Sequence, residues 1–291
     1  MLESVMTHRS LSKYHATGND FLVLHAPDDD GVSDAMVIAL CDRHTGIGAD
    51  GLLTIGAPRT EGADCSFRLQ NADGGEAEMS GNGMRCLAAA AVRLGYGSEH
   101  ALRVDTPAGR RDVEFTTNSA GDVDTATVDM GAPIVDPVRI PVSVESPLEL
   151  SALVDGVAYV GDAVGMGNPH WVVFVDDVAS AAVGTHGPVL EHDPRFPNRT
   201  NVEFARVENR SRIEMRVWER GVGETRSCGT GASAAAVAAH RRGLVDAEVT
   251  LVVPGGQLVV EIGTTIRLSG PVVHVFDVDI ELPVDSATGA P

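Results

Sequence analysis

Two short stretches carry residue types that could do chemistry, and they lie about half the chain apart. "MSGNGMRC" places Ser80 before Gly81, Asn82 and Gly83, and "RSCGTGAS" places Cys228 before Gly229, Thr230 and Gly231. Each leads into an alanine-rich run, 81–95 and 229–243, that stops at a glycine suited to a C-cap. The first amides of a helix have no internal acceptor and sit at the positive end of its dipole. Bare glycine backbone there suits a carboxylate or a phosphate. A cysteine at that point is expected to have its pKa drawn below about 8.5, so that thiolate is accessible near neutral pH. Cys228 is such a thiol or a buried structural cysteine, and Ser80 is a good N-cap whatever else it does. Neither loop carries the Lys-Ser/Thr pair of a phosphate-binding loop, and no dinucleotide fingerprint occurs.

Other polar residues stand in compact turns near these loops. "HATGNDF" holds Asn19 before a strand, and "QNADGG" holds Asn71 after one. "MGNPHWVVF" sets Asn168 before a proline, "NRTNVEF" carries Asn201, and "VWERGVGETRSCGTG" joins Glu219 and Arg220 to the Cys228 loop. Singly, each asparagine reads as a turn or capping residue, and Glu219–Arg220 as a solvated pair. Together they supply what an α-amino acid needs. A cation and bare N–H groups suit its carboxylate, and a carboxylate with amide oxygens suits its ammonium.

The elements that must position these residues are mostly strands. Short β-rich runs with turn-rich boundaries recur, from "DFLVLHA" and "DGLLTIGA" to "AEVTLVVPGG" and "PVVHVFDVDI". Helices are expected at 34–44 and over the two alanine runs, whose almost pure alanine faces predict burial on every side. The matching Gly-x-Gly helix starts predict a two-part pseudo-repeat that crosses over near "MGAP", 130–133. The chain of 291 residues, 43% hydrophobic and 22% charged, has the composition of an ordinary globular protein. Its 22 basic and 41 acidic side chains give a net charge of −19, which disfavours nucleic acid and anionic membrane as partners. Four scattered cysteines suggest neither a disulfide framework nor a zinc site, so no metal is expected. No apolar run reaches the roughly 18 residues of a membrane span, and "MLESVMTHRSLSK" does not read as a signal peptide, so a cytoplasmic location is expected.

Over nearly its whole length the sequence resembles the diaminopimelate epimerase family. "HATGNDF", "RHTGIGADGLL", "NADGGEAEMSGNGMRC", "MGNPHWVVF", "RFPNRTNVEF" and "ERGVGETRSCGTGASAAA" occur in the family's order. The resemblance implies an α/β (α+β) fold of two pseudo-symmetric halves, each a curved, mostly antiparallel sheet wrapped around a central helix, with the active site in the cleft between them. It places the halves at 1–132, with a returning strand at about 270–283, and at 133–269. It implies cofactor-independent epimerisation of LL- to meso-2,6-diaminopimelate, in lysine and peptidoglycan precursor biosynthesis, by a cytoplasmic homodimer. Carried over residue by residue, Cys228 is one of two bases on opposite faces of the substrate α-carbon. Gly81, Asn82, Gly229 and Thr230 would hold the α-carboxylate, and Glu219 the ammonium beside it. Asn19, Asn71, Asn168, Asn201 and Arg220 match substrate-binding positions, while Gly51 stands where some members carry a substrate-contacting glutamine.

Ser80 occupies the position of the second catalytic cysteine. With water's pKa of about 15.7 standing in for the hydroxyl, the gap to a thiol is roughly 7 units, on the order of 10 kcal/mol against a charged base. Cys86 lies almost two turns into the helix and does not fill the place. The chain is then a Cys→Ser variant, an epimerase with Ser80 in a relay, or a relative with altered chemistry. Alternatives to the epimerase are a racemase or one-base dehydratase of another amino acid, of histidine or hydroxyproline type, and a catalytically impaired diaminopimelate-binding relative.

Overall fold

The computed structural model describes residues 6–27, 32–77, 80–107 and 109–283. The chain divides into two compact units. One comprises the chain up to Ala16, Asp20–Ala126 and the chain from Val272 on; the other comprises Thr17–Asn19 and Thr127–Pro271.

The first unit begins with β1 (Met6–Ala16) and β2 (Asn19–His25), followed by α1 (Asp34–Cys41), β3 (Gly51–Gly56), β4 (Cys65–Asn71) and β5 (Glu76–Ala77). Helix α2 (Gly81–Arg93) precedes β6 (Ala101–Thr106), β7 (Gly109–Thr117) and β8 (Val123–Asp129), the last of which runs into the second unit. There β9 (Leu150–Val154), β10 (Val157–Gly165) and β11 (Pro169–Phe174) lead to α3 (Val183–Glu191), β12 (Asn201–Asn209), β13 (Arg212–Glu219) and β14 (Gly223–Thr225). Helix α4 (Gly229–Arg241), β15 (Glu248–Val253), β16 (Gly256–Ile262) and β17 (Ile266–Pro271) follow, and β18 (Val273–Pro283) pairs antiparallel with β1.

The two units repeat one pairing scheme. β2 pairs parallel with β3 across α1, as β11 does with β12 across α3. The antiparallel pair β3–β4 answers β12–β13, and the parallel pair β4–β6 across α2 answers β13–β15 across α4. Parallel neighbours need a crossover, and a helix supplies it in each case. The alanine-rich runs form the central helices. α2 packs on β1, β3, β4 and β7, while α4 packs on β10–β13 and β15–β17. Buried residues run without interruption from Gly81 to Ala91 and from Gly231 to Ala239, so both helices are enclosed on every face; this stretch of α4 holds only Gly, Ala, Ser and Val, whereas α2 also buries Met84, Arg85 and Leu87. Both helices end in the same cap, with Gly95 (φ +88°) and Gly243 (φ +70°) in the left-handed region. The next amides, of Tyr96 and Leu244, return to Ala91 and Ala239 oxygens.

Helix α3 escapes sequence patterning because Gly184, Gly187 and Pro188 fall within its nine residues. Gly187 is required by packing, since a Cβ there would lie 2.6 Å from Trp218 Cγ. β1 is also unmarked, because "MTHRSLSKYHA" is polar; its partner β18 supplies the apolar alternation.

Candidate functional site

In the second unit, strand register gathers most of the polar residues at one end. His170 at the start of β11 lies beside Asn201 at the start of β12, with Asn168 just before β11. Val202 pairs with Trp218, so Glu219 and Arg220 leave β13 next to Asn201. β14 then turns the chain into Cys228, the N-cap of α4. Thr17, at φ +50°, donates its hydroxyl to Ser227 Oγ at 2.6 Å, which ties the turn before Asn19 to the Cys228 loop.

Cys228 is 6% exposed, and its Sγ accepts from Gly231 N at 3.4 Å and lies 3.4 Å from Thr230 Oγ1. The helix start was expected to lower this thiol's pKa. The structure reverses the direction. Burial pushes the thiol well above its ordinary value, the carboxylates of Glu219 and Glu203 add to the rise, and the Thr230 and Gly231 hydrogen bonds do not offset it. A thiolate removed from water beside two carboxylates outweighs a half-charge at a helix end. Glu219, which takes hydrogen bonds from Thr225 Oγ1 and Cys228, is itself raised by burial.

Behind Cys228 lies a network that the sequence reading did not single out. His170 Nδ1 is 2.7 Å from Glu203 Oε1, both side chains are fully buried, and His170 Nε2 is 2.8 Å from Asn168 Oδ1. The only signal for Glu203 was alternation, since in "NVEF" residues 201 and 203 share one strand face. Asn201 is 3% exposed and works on backbone: Nδ2 donates to Pro169 O at 3.0 Å, and Oδ1 accepts from Arg220 N at 2.9 Å. Asn201 thus ties the Asn168 turn to the Arg220 turn. The buried Glu191 carboxylate holds the far side, accepting from Gly221 N, Arg199 Nη1 and Trp218 Nε1. Arg220 is half-buried, its Nη1 on Asn198 O at 3.1 Å.

In the first unit, Gly51 at the start of β3 pairs with Asn71 at the end of β4, and Asn71 is exposed. A side chain at 51 would meet Gln70 O at 2.6 Å, so glycine is what this β3–β4 approach admits. Ser80 is the half-buried N-cap of α2, its Oγ accepting from Gly83 N at 3.0 Å. Gly81 and Asn82 are buried behind it, and the fully buried Arg85 hydrogen-bonds Asn82 Oδ1 and Gly81 O. Cys86 is fully buried and pushed up to about 12 by burial, so it is no substitute base. Cys65, at about 12, and Cys41, at about 11, are likewise inert. Among the described residues, no cluster of three His, Cys, Asp or Glu side chains could hold a metal, and no helix is long and apolar enough to cross a membrane.

Two units of one topology, each with a buried helix beginning Gly-x-Gly at a polar turn, give a fold that is also seen in epimerase and PhzF-family structures. The fold aligns with a hydroxyproline epimerase from Agrobacterium vitis (TM-score 0.69, 16% identity, 96% of this chain and 92% of that one). It aligns also with a PhzF-family protein of Bacillus anthracis (TM-score 0.67, 16% identity, 94% and 99%). At the level of sequence the diaminopimelate epimerase family model matches residues 11–135 and 162–274. The diaminopimelate epimerase of Pseudomonas entomophila is 42% identical over 276 residues, 93% of this chain and 98% of the relative. That of Moorella thermoacetica is 42% identical over 281 residues, with the same coverage. The chain belongs to the diaminopimelate epimerase family.

Proposed function

We propose that this protein interconverts LL- and meso-2,6-diaminopimelate by moving the α-proton, with Cys228 as one base and Ser80 in the position of the other. The observation that carries the reading is the buried Cys228 at the start of α4, flanked by Glu219, in a chain 42% identical to named diaminopimelate epimerases. In one direction the Cys228 thiolate takes the α-proton from one face, and a proton from Ser80 Oγ reaches the carbanion from the other. In the reverse direction Ser80 must act as base. The amides of Gly81, Asn82, Gly229 and Thr230 suit the α-carboxylate, whose charge grows as the carbanion forms.

Substrate itself supplies what the resting thiol lacks. An α-ammonium paired with Glu219 cancels a carboxylate that raises Cys228, so binding draws the thiol toward thiolate. The same step leaves Ser80 as the weak partner, because no carboxylate or imidazole is hydrogen-bonded to its Oγ among the described residues. Asn19, Asn71, Asn168, Asn201 and Arg220 serve the distal amino-carboxyl head, Asn201 by fixing the Asn168 and Arg220 turns. Such an enzyme works in the cytoplasm as a homodimer, on a small amino acid and with no cofactor.

The test is incubation in D₂O with LL- and meso-diaminopimelate, histidine and 4-hydroxyproline, for the chain as it stands and for Ser80→Cys. Deuterium at the α-carbon with inversion of diaminopimelate alone is the expected result, slow for Ser80 and faster for Ser80→Cys. Turnover of histidine or hydroxyproline, or inertness of both forms toward diaminopimelate, overturns the substrate. Equal rates for both forms overturn the weak-partner role of Ser80.

A further inference from the structure

Glu191 is the last residue of α3 and is 4% exposed. An ionised carboxylate is disfavoured there twice, by burial and by the negative end of the helix dipole. Packing alone does not call for it, since an apolar side chain would fill the place at less cost. What it holds is specific. Oε2 accepts from Trp218 Nε1 at 2.7 Å, and Oε1 accepts from Gly221 N at 3.0 Å and from Arg199 Nη1 at 3.1 Å. Residues 218 and 221 bracket Glu219 and Arg220. The turn between them closes through Val222 N on Glu219 O at 3.1 Å, with Gly221 at φ +75°, a conformation glycine takes without strain. The missing Cβ of Gly187 lets Trp218 lie against α3, which brings the indole within reach of the carboxylate.

We propose that Glu191 is a positioning residue that acts through Trp218 and Gly221 to fix how Glu219 and Arg220 leave β13, and so holds both where substrate meets them. A carboxylate suits the task because it only accepts, and its two oxygens face different donors. One takes the indole on the strand, the other takes the turn amide, and Arg199 balances the charge. Bonds to an ionised acceptor are short and directional, which is what a fixed turn needs. A glutamine in this place has one acceptor oxygen, and its amide hydrogens would face a donor on the other side.

The substrate half of this inference rests on the diaminopimelate reading, and the hold on the turn does not. The experiment compares the full chain with Glu191→Gln by calorimetric titration with LL-diaminopimelate and by ¹H–¹⁵N NMR of the indole groups. The chain has two tryptophans, Trp171 and Trp218, and Trp218→Phe assigns their signals. In Glu191→Gln the Trp218 indole proton should move upfield as a charge-assisted bond is lost, while the Trp171 signal stays. The dissociation constant should rise about tenfold, the lower end of what a lost outer contact costs a binding site. A role confined to the fold would reduce the fraction of protein that binds and leave the dissociation constant of the remainder unchanged. That result overturns the proposal, as does a Trp218 signal that does not move. If Glu191→Gln does not fold, Trp218→Phe decides the matter by removing a single hydrogen bond. Binding about threefold weaker is then expected, and parent affinity overturns the proposal. If the parent chain does not bind diaminopimelate, that reading falls and the turn is read without ligand. Glu219 raises the Cys228 thiol, so a displaced Glu219 should quicken alkylation by iodoacetamide at pH 8 about threefold in Glu191→Gln, half a pKa unit's worth. An unchanged rate in that case overturns the hold on the turn as well.

Discussion

The two helix starts share a backbone and differ in chemistry. α2 and α4 are both 13 residues long, both follow an extended N-cap, and both take a hydrogen bond from the third residue's amide onto the N-cap side chain. Ser80 Oγ does this at 3.0 Å and Cys228 Sγ at 3.4 Å, the longer distance of the larger atom. Beneath Ser80 lies the buried Arg85, whereas Cys228 faces Glu203 and Glu219. At the place where α2 has Arg85, α4 has Ser233, and both side chains donate to the carbonyl of the first helical residue. The geometry of capping thus accepts either oxygen or sulfur, and the neighbours set the acid–base behaviour.

The largest expected effect comes from making the two starts alike. Cys228→Ser should cut α-proton exchange from diaminopimelate by about 10²–10⁴-fold, the usual weight of a general base, as read by mass spectrometry in D₂O. Exchange at the parent rate would show that the Cys228 side is no more catalytic than the Ser80 side.

The units also differ in how they hold their polar turns. The first uses ion pairs that run from the interior to the surface, with Asp20 bound to the largely buried Lys13 at 2.6 Å and to the exposed Arg43, which also bonds Asp50 beside Gly51. Burial alone would raise Asp20, but hydrogen bonds from Arg43 and Lys13 hold it at about 2. A folded pKa below the unfolded value gives stability that is present above about pH 4 and is lost as pH falls toward 2. At most this amounts to about 2–3 kcal/mol, less what partial exposure screens away. Denaturant melts at pH 5 and pH 3 should show that loss in the parent chain and a flatter response in Asp20→Asn. A parent curve as flat as the variant's would remove the distinction.

A smaller contrast separates the third residues. Gly231→Ala drives a Cβ to 2.6 Å from the buried Glu203, while Gly83→Ala meets nothing nearer than Ser80 Cβ at 3.2 Å. Overpacking should cost Gly231→Ala about 1–3 kcal/mol in chemical denaturation, whereas Gly83→Ala should come out near neutral, helped by alanine's helix preference. Equal effects would mean that the two starts are equally roomy.

The smallest effect is on thiol reactivity. Because Cys228 is raised by burial and by Glu219, iodoacetamide should alkylate it slowly at pH 8 and faster as pH climbs past 9. Glu219→Gln removes one raising charge and should speed the reaction at pH 8 about tenfold, one pKa unit's worth. A slower reaction in Glu219→Gln would reverse the sign assigned to that carboxylate.

Much of this was legible before any coordinates. The alanine runs marked both central helices within two residues, because alanine is the best helix former and a run of it lets strands close on the helix from every side. The Gly-x-Gly starts revealed the pseudo-repeat, and the motif order revealed the family. Less legible were β1, whose apolar partner lies at the other end of the chain, and α3, whose Gly187 answers to Trp218. The resemblance assigns Asn201 to substrate, and motif order does not reveal that its side chain also bridges Pro169 O and Arg220 N.

By itself the sequence determined the residue types at the two helix starts, the helices behind them and the family, because these follow from local spacing and from motif order. Only the tertiary structure decided the state of Cys228. Its direction of shift reverses first because packing removes the water that would solvate the thiolate, and then because Glu219 and Glu203 arrive beside it from β13 and β12. Distance along the chain says nothing of that charge, and burial says everything of its strength.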